Sequence, residues 1–281
     1  MKWILLGGVA LLVVAIGLWG IGQWRWSQKT QALLDQLEAA RAALPTERFD
    51  PRELDALPDP VARHLRQALP PGAPIVRAAD VVHEGTFNMD LAKGTWKPFT
   101  SRQRVVTRRP GFVWDGRVAM APGLAVYVHD AYVAGEGILE PAILGLFTLV
   151  NLRDRGEVAR GELMRFMAEA AWYPTALLPS QGMQWEPIDE RSARATLVDG
   201  DVRLTMTFHF GDDGLIETIR AEDRGFADGD RIVPMPWEGR MFDYQRRDGM
   251  LIPVQGEVAW LTPQGRKPYW RGTITELRYD R

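Results

Sequence analysis

The sequence predicts an α+β chain, mainly antiparallel β, built as one large curved sheet or half-barrel with covering helices and preceded by an N-terminal transmembrane helix. Three observations predict it. Residues 3–22 form an uncharged, mostly apolar run, long enough as a helix (about 30 Å) to match a bilayer's hydrocarbon core. Beyond residue 74, side chains alternate apolar and polar between turn signals, the period of half-buried strands. One amphipathic helical pattern, with Val158, Leu163, Phe166 and Met167 on its apolar side, interrupts those strands. Strands, a helix and more strands within one stretch argue for a single sheet rather than two domains.

The expected organisation is an anchor over residues 1–24, a helical linker over 25–73 and a half-barrel domain over 74–281. Trp3, Trp19, Trp24 and Trp26 cluster near the ends of the apolar run, where indoles favour the headgroup boundary. A cleaved signal peptide is the rival reading, but the run is long and is followed by Trp24-Arg25-Trp26 rather than a small-residue cleavage site. Lys2 on one flank and Arg25, Lys29 and Arg41 on the other do not decide orientation. An inner-membrane, single-pass protein with an extracytoplasmic domain is the expectation.

Leu33, Leu34, Leu37 and Ala40 recur at helical spacing before Pro45, and residues 60–68 form a second helical piece broken by Pro70-Pro71-Gly72. Val81, His83, Gly85, Phe87 and Met89 share one face of the first strand. Residues 100–108, 112–119 and 124–133 complete that half of the sheet. After the helix, Val202, Leu204, Met206, Phe208 and Phe210 alternate with polar residues, and Asp199-Gly200 ahead of them signals a tight hairpin. Residues 215–222, 241–246, 250–261 and 269–279 continue the meander, with turns at Asp248-Gly249 and Thr262-Pro263-Gln264-Gly265.

Composition removes several chemistries. A formal net charge of −2 gives no electrostatic footprint for nucleic acid, and the absence of cysteine excludes disulfides and cysteine nucleophiles. No G-x-S-x-G elbow, phosphate-cradling loop or dinucleotide fingerprint occurs. The four histidines, at positions 64, 83, 129 and 209, lack metal-site spacing, so neither metal nor cofactor is expected.

Carboxylates remain. Glu162, Arg165 and Glu169 share a helical face, which suits acid–base work or an exposed ion-pair ladder. Glu238, Arg240, Asp243 and Tyr244 crowd a proline-flanked segment that reads as a site rim. Trp114, Trp172, Trp185, Trp237, Trp260 and Trp270, with many methionines, suit an apolar cavity for a flexible ligand and equally suit a large core.

Phe112-Val113-Trp114-Asp115, Met120-Ala121-Pro122-Gly123-Leu124, Ala131 to Gly137, Gly161 to Pro179 and Pro236 to Tyr244 resemble a bacterial family of unknown function. The resemblance spans residues 57–279 and implies no activity. The order of elements also resembles the periplasmic lipoprotein-carrier half-barrel, whose concave face holds acyl chains. The expected function is non-catalytic binding of a lipid or other apolar ligand, with Trp114, Trp185, Trp237, Trp260 and Trp270 lining the cavity. Glu162, Arg165, Arg240 and Tyr244 would orient a polar head, and Trp172, Tyr173 and Glu238 complete the candidate site. The alternatives are a carboxylate-dependent enzyme acting on a lipid or glycan, and a structural protein-interaction module.

Overall fold

Turn chemistry sets the topology. Ala134-Gly135 and Asp248-Gly249 each place two consecutive residues at positive φ (53° and 85°, 49° and 84°), the backbone that reverses a hairpin in two residues. The computed structural model describes the backbone of residues 2–43, 47–228 and 231–281; the side chains of residues 2–5, 7–9, 11–12 and 227–228 lie outside the description. Helices α1 (Lys2–Ala39) and α2 (Asp59–Ala68) come first. Strands β1 (Ala78–Asn88), β2 (Trp96–Val106), β3 (Gly111–Ala121), β4 (Leu124–Val133), β5 (Glu136–Ile143), β6 (Phe147–Thr148) and β7 (Leu152–Asp154) form one wing. After helix α3 (Glu157–Glu169) and three short 3₁₀ turns, the other wing comprises β8 (Gln184–Asp189), β9 (Ser192–Asp199), β10 (Val202–Phe210), β11 (Ile216–Asp228), β12 (Arg231–Arg247), β13 (Met250–Thr262) and β14 (Gly265–Asp280).

The two antiparallel meanders fuse where β1 pairs with β14, giving the order β6-β5-β4-β3-β2-β1-β14-β13-β12-β11-β10-β9-β8, with β7 also on β5. The sheet is open, as expected. Gly85, Gly272 and Gly256 stand in register on β1, β14 and β13. A Cβ on Gly85 would lie 1.9 Å from the Arg271 carbonyl oxygen, so the backbones approach there as only glycine allows. The wings curl until Tyr132 on β4 donates to Asp199 Oδ2 on β9 at 2.8 Å.

Helix α3 fills the concave side between the wings. Its N-terminus sits directly on β5, where a Cβ on Gly137 would be 2.3 Å from the Ala159 nitrogen. Asp154 Oδ1 accepts from the backbone N–H groups of Gly156, Val158 and Ala159 at 2.9, 3.0 and 3.1 Å, satisfying donors that the helix start leaves free. Because both wings press on it, α3 is buried on nearly every side, including Glu162 and Glu169. The exposed ion-pair ladder is therefore corrected: these charges face the interior. Helix α2 plugs one end with Val61, Leu65 and Ala68 buried.

The opposite, convex face carries α1. The first part of the segment expected as a linker, residues 25–39, is a docked continuation of one 38-residue helix. Leu33 and Leu37 pack on Val106, Val113, Ala131 and Ile138. Trp26, expected at a membrane boundary, is instead fully buried: its indole stacks on His129 (3.8 Å between centroids) and donates to Asp115 Oδ1 at 2.9 Å. Burying each such side chain contributes about 1.5–3 kcal/mol by transfer. Before Trp26 the pattern reverses, with Val13, Val14, Ile16, Leu18, Trp19 and Trp24 all exposed. Among the described residues no helix is long and apolar enough to cross a membrane, so the transmembrane span is not supported; much of the run 3–22 has side chains outside the description.

Candidate functional site

Between α3 and the inner face of the sheet lies a cavity of about 360 Å³, within the size range of small-molecule sites. Its floor is made by three indoles, Trp114, Trp237 and Trp270. Each precedes a glycine by two residues on its own strand, hence on the same face. A Cβ on Gly116, Gly239 or Gly272 would stand 2.0, 3.1 or 2.2 Å from the preceding indole. The rings lie flat along the strand because nothing projects beneath them. Val118, Val126 and Val128 form one wall, and Ala168 and Trp172 the cover. At the mouth, Met89, Leu149 and Val150 line the cavity while being 41, 54 and 45% exposed. The turn between β5 and β6, which precedes Leu149 by a few residues, leans on α1, since a Cβ on Gly22 would meet the Leu144 carbonyl oxygen at 2.3 Å.

One end is polar. Arg165 donates to Asp130 Oδ2 (2.5 Å), Glu169 Oε1 (2.7 Å) and Gln103 Oε1 (3.1 Å), while Gln103 donates to Glu169 Oε2 (2.5 Å). Its guanidinium also lies 4.9 and 5.2 Å from the Phe112 and Trp114 ring centres, in cation–π range. Beside this network, Glu162 Oε2 and Asp130 Oδ1 are enclosed by protein without a conventional partner. Burial drives the Glu162 carboxyl well above the usual range; the Asp130 charge and a hydrogen bond to Asp130 add to it, against the opposing pull of Arg224 and Arg165.

Arg224 enters by a backbone device. Between Ala221, opposite Trp237, and Arg224, opposite Met235, β11 carries an extra residue, and this bulge turns Arg224 inward where alternation would have pointed it out. Arg160 on α3 pins the bulge by donating to the Asp223 carbonyl at 2.9 Å and carboxylate at 2.8 Å. His83, beneath Trp172 (4.9 Å) and Trp270 (6.0 Å), is pushed down by burial to about 3. Its Nδ1 lies 3.3 Å from Ser101 Oγ.

Of the residues singled out from sequence, Trp114, Arg165, Glu169, Trp172, Trp237 and Trp270 line the cavity, as does Arg240, whose guanidinium is turned to Glu238. The rest are elsewhere. Glu162 sits behind the polar end. Tyr173 donates to the Phe166 carbonyl, Trp185 to the Leu177 carbonyl and Tyr244 to the Ile216 carbonyl, all serving the core. Trp260 stacks on Tyr269, 5.8 Å away. The segment 236–244 is no loop rim but the middle of β12, and Glu238 points away from Trp237 onto the convex face. There it accepts from Arg220, Arg240 and Arg266 at 2.9, 2.8 and 2.8 Å. Burial would raise its carboxyl, but the three guanidinium hydrogen bonds prevail and hold it below the usual value. Asp130, Gln103 and Arg224 were missed. Among the described residues no cluster of three or more His, Asp or Glu is placed to hold a metal.

Fold and site together define an open antiparallel half-barrel with a helix-covered, largely apolar cavity. Residues 55–279 match the Family of unknown function (DUF6920), and the chain belongs to that family. No curated protein matches it. Among solved structures it is similar to a DUF1329 family protein from Desulfovibrio piger, at 12% identity and TM-score 0.41, covering 83% of this chain and 94% of that one. It is also similar to a LolA superfamily protein from Nitrosomonas europaea, at 8% identity and TM-score 0.37, again over 83% and 94%. A Vibrio parahaemolyticus domain assigned to outer membrane lipoprotein sorting matches at 10% identity and TM-score 0.38, over 79% and 89%.

Proposed function

We propose that this protein is a membrane-tethered, extracytoplasmic binder of a lipid or another apolar ligand, which it holds between sheet and α3 without catalysis. The observation that carries this reading is the cavity itself: indoles and valines line it, and its polar groups are gathered at one end. The exposed apolar residues Val13, Val14, Ile16, Leu18, Trp19 and Trp24 of α1, whose Gly22 meets the turn a few residues before Leu149 at the mouth, support a tether that sets the mouth near a bilayer. To test it, the full chain is extracted from membranes and its bound material identified by mass spectrometry. Co-purifying lipid is expected. Protein that is always empty, and that neither binds a fluorescent fatty acid nor stays with membranes through alkaline extraction, would refute the proposal.

The raised Glu162 carboxyl beside Asp130 favours a second reading, a carboxylate-dependent enzyme acting on a lipid or glycan. It ranks lower because Glu162 Oε2 and Asp130 Oδ1 are enclosed by protein. Turnover of a lipid ester or glycoside that Glu162→Gln abolishes would reverse the ranking.

A further inference from the structure

The cavity holds a cation that its own protein leaves unanswered. Arg224 is 9% exposed and lines the cavity, its guanidinium 5.1 and 6.0 Å from the Trp237 and Trp260 ring centres. Among the described residues its side chain donates no hydrogen bond, and its nearest acidic atom is Glu162 Oε1 at 4.0 Å. Burial and the Asp130 charge raise that carboxyl, which weakens it as a counter-ion. Arg165, by contrast, has both Asp130 and Glu169 in direct ion pairs. An Arg buried without a hydrogen-bonded counter-ion is costly, and here a bulge pinned by Arg160 keeps it facing inward.

We infer that Arg224 is the head-group site of the cavity, and that the ligand is an amphiphile whose single apolar chain ends in an oxyanion, a carboxylate or a phosphate. The inference rests on the apolar-ligand reading above and adds the charge and number of chains. A planar guanidinium pairs two oxygens in a fork, and the cavity walls exclude the water that would screen the pair. The lining indoles and valines take the chain, leading toward Met89 and Leu149 at the mouth. About 360 Å³ lies near the lower end of small-molecule cavities, which suits one chain rather than the two of a diacyl phospholipid.

The test titrates the full chain, held in amphipol, with dansylaminoundecanoic acid and with its methyl ester. The acid should bind at least about tenfold more tightly, the scale of one charge-assisted pair. Arg224→Met should bring the acid down to the ester's affinity while leaving the ester unchanged, and Arg224→Lys should keep part of the preference. Dodecyl phosphate and dodecanoate distinguish the two head groups by which binds more tightly, and each should lose affinity in Arg224→Met; loss by neither would overturn the Arg224 assignment. Competition by a diacyl phosphatidic acid as strong as by dodecanoate would overturn the single chain. Equal binding of acid and ester by the unaltered protein would overturn the Arg224 assignment while leaving the cavity reading intact, and that comparison needs no variant to fold. If neither probe binds, the cavity reading itself fails.

Discussion

The two faces of this sheet each bury a glutamate beside arginine, and the two glutamates move in opposite directions. On the convex face Glu238 accepts from three guanidinium groups and stays ionised. On the concave face Glu162 has one guanidinium at 4.0 Å and a carboxylate for a neighbour, and its carboxyl is raised. Both are nearly inaccessible, at 1% exposure for Glu238 and 7% for Glu162, and burial raises both carboxyls; only at Glu238 do three guanidinium hydrogen bonds overcome it. The lesson extends to function, because the face that satisfies its charges internally has none to offer, whereas the concave face retains Arg224.

The largest expected effect comes from removing the hub of the inner network. Arg165→Met would leave the buried Glu169 and the half-buried Asp130 with no cation in contact, costing about 3–5 kcal/mol in urea unfolding. On the outer face, Glu238→Gln should cost about 2 kcal/mol by the same measurement, since it removes charge-assisted bonds to three arginines. Gly116→Ala and Gly272→Ala should follow at about 1–2 kcal/mol with a changed tryptophan near-UV spectrum, as each indole is forced off its strand. Gly239→Ala, with 3.1 Å of clearance, should cost less than either. Smallest is Glu162→Gln, below about 1 kcal/mol, because burial and the Asp130 charge already favour the neutral carboxyl that the amide replaces. A loss at Glu162→Gln as large as at Glu238→Gln would erase the distinction between the faces.

The pH dependence sharpens the contrast. Glu162 has a raised value in the folded chain, so its contribution is complete in acid and is lost as pH climbs through that value; Glu162→Gln should abolish this alkaline decline. Glu238, held low, contributes above the usual carboxylate range and loses that contribution as pH falls. Burial lowers His83 to about 3 and His64 to about 4, so both favour the folded state near neutrality and cease to as pH drops from about 6.5 toward those values. Thermal melts across pH should show acid sensitivity beginning near 6, and His83→Gln should reduce it.

Much of the fold was legible because its signals are local. The alternation of Val202 to Phe210 matches the inward face of β10, and Asp199-Gly200 and Asp248-Gly249 are turns. The site was less so. A helix face bearing Glu162, Arg165 and Glu169 looks the same in sequence whether water or a polar cavity faces it. Arg224 was hidden because the bulge after Ala221 shifts the phase of β11, which period-two counting carries straight through. Aromatic content alone did not separate Trp270, on the cavity floor, from Trp185, in the core. A usable signal was present in Trp114-Asp115-Gly116, Trp237-Glu238-Gly239 and Trp270-Arg271-Gly272, where the spacing Trp-x-Gly marks the indoles that lie flat.

Helix α1 runs unbroken from Lys2 to Ala39, and its second half is clamped to the sheet by Trp26, Leu33 and Leu37. It leaves no joint between the part that grips the barrel and the part that projects. Whatever seizes the first two dozen residues therefore also fixes the compass bearing of the opening, as a keel does for a hull. Two glycines inserted after Trp24 would give the barrel a swivel without touching its interior.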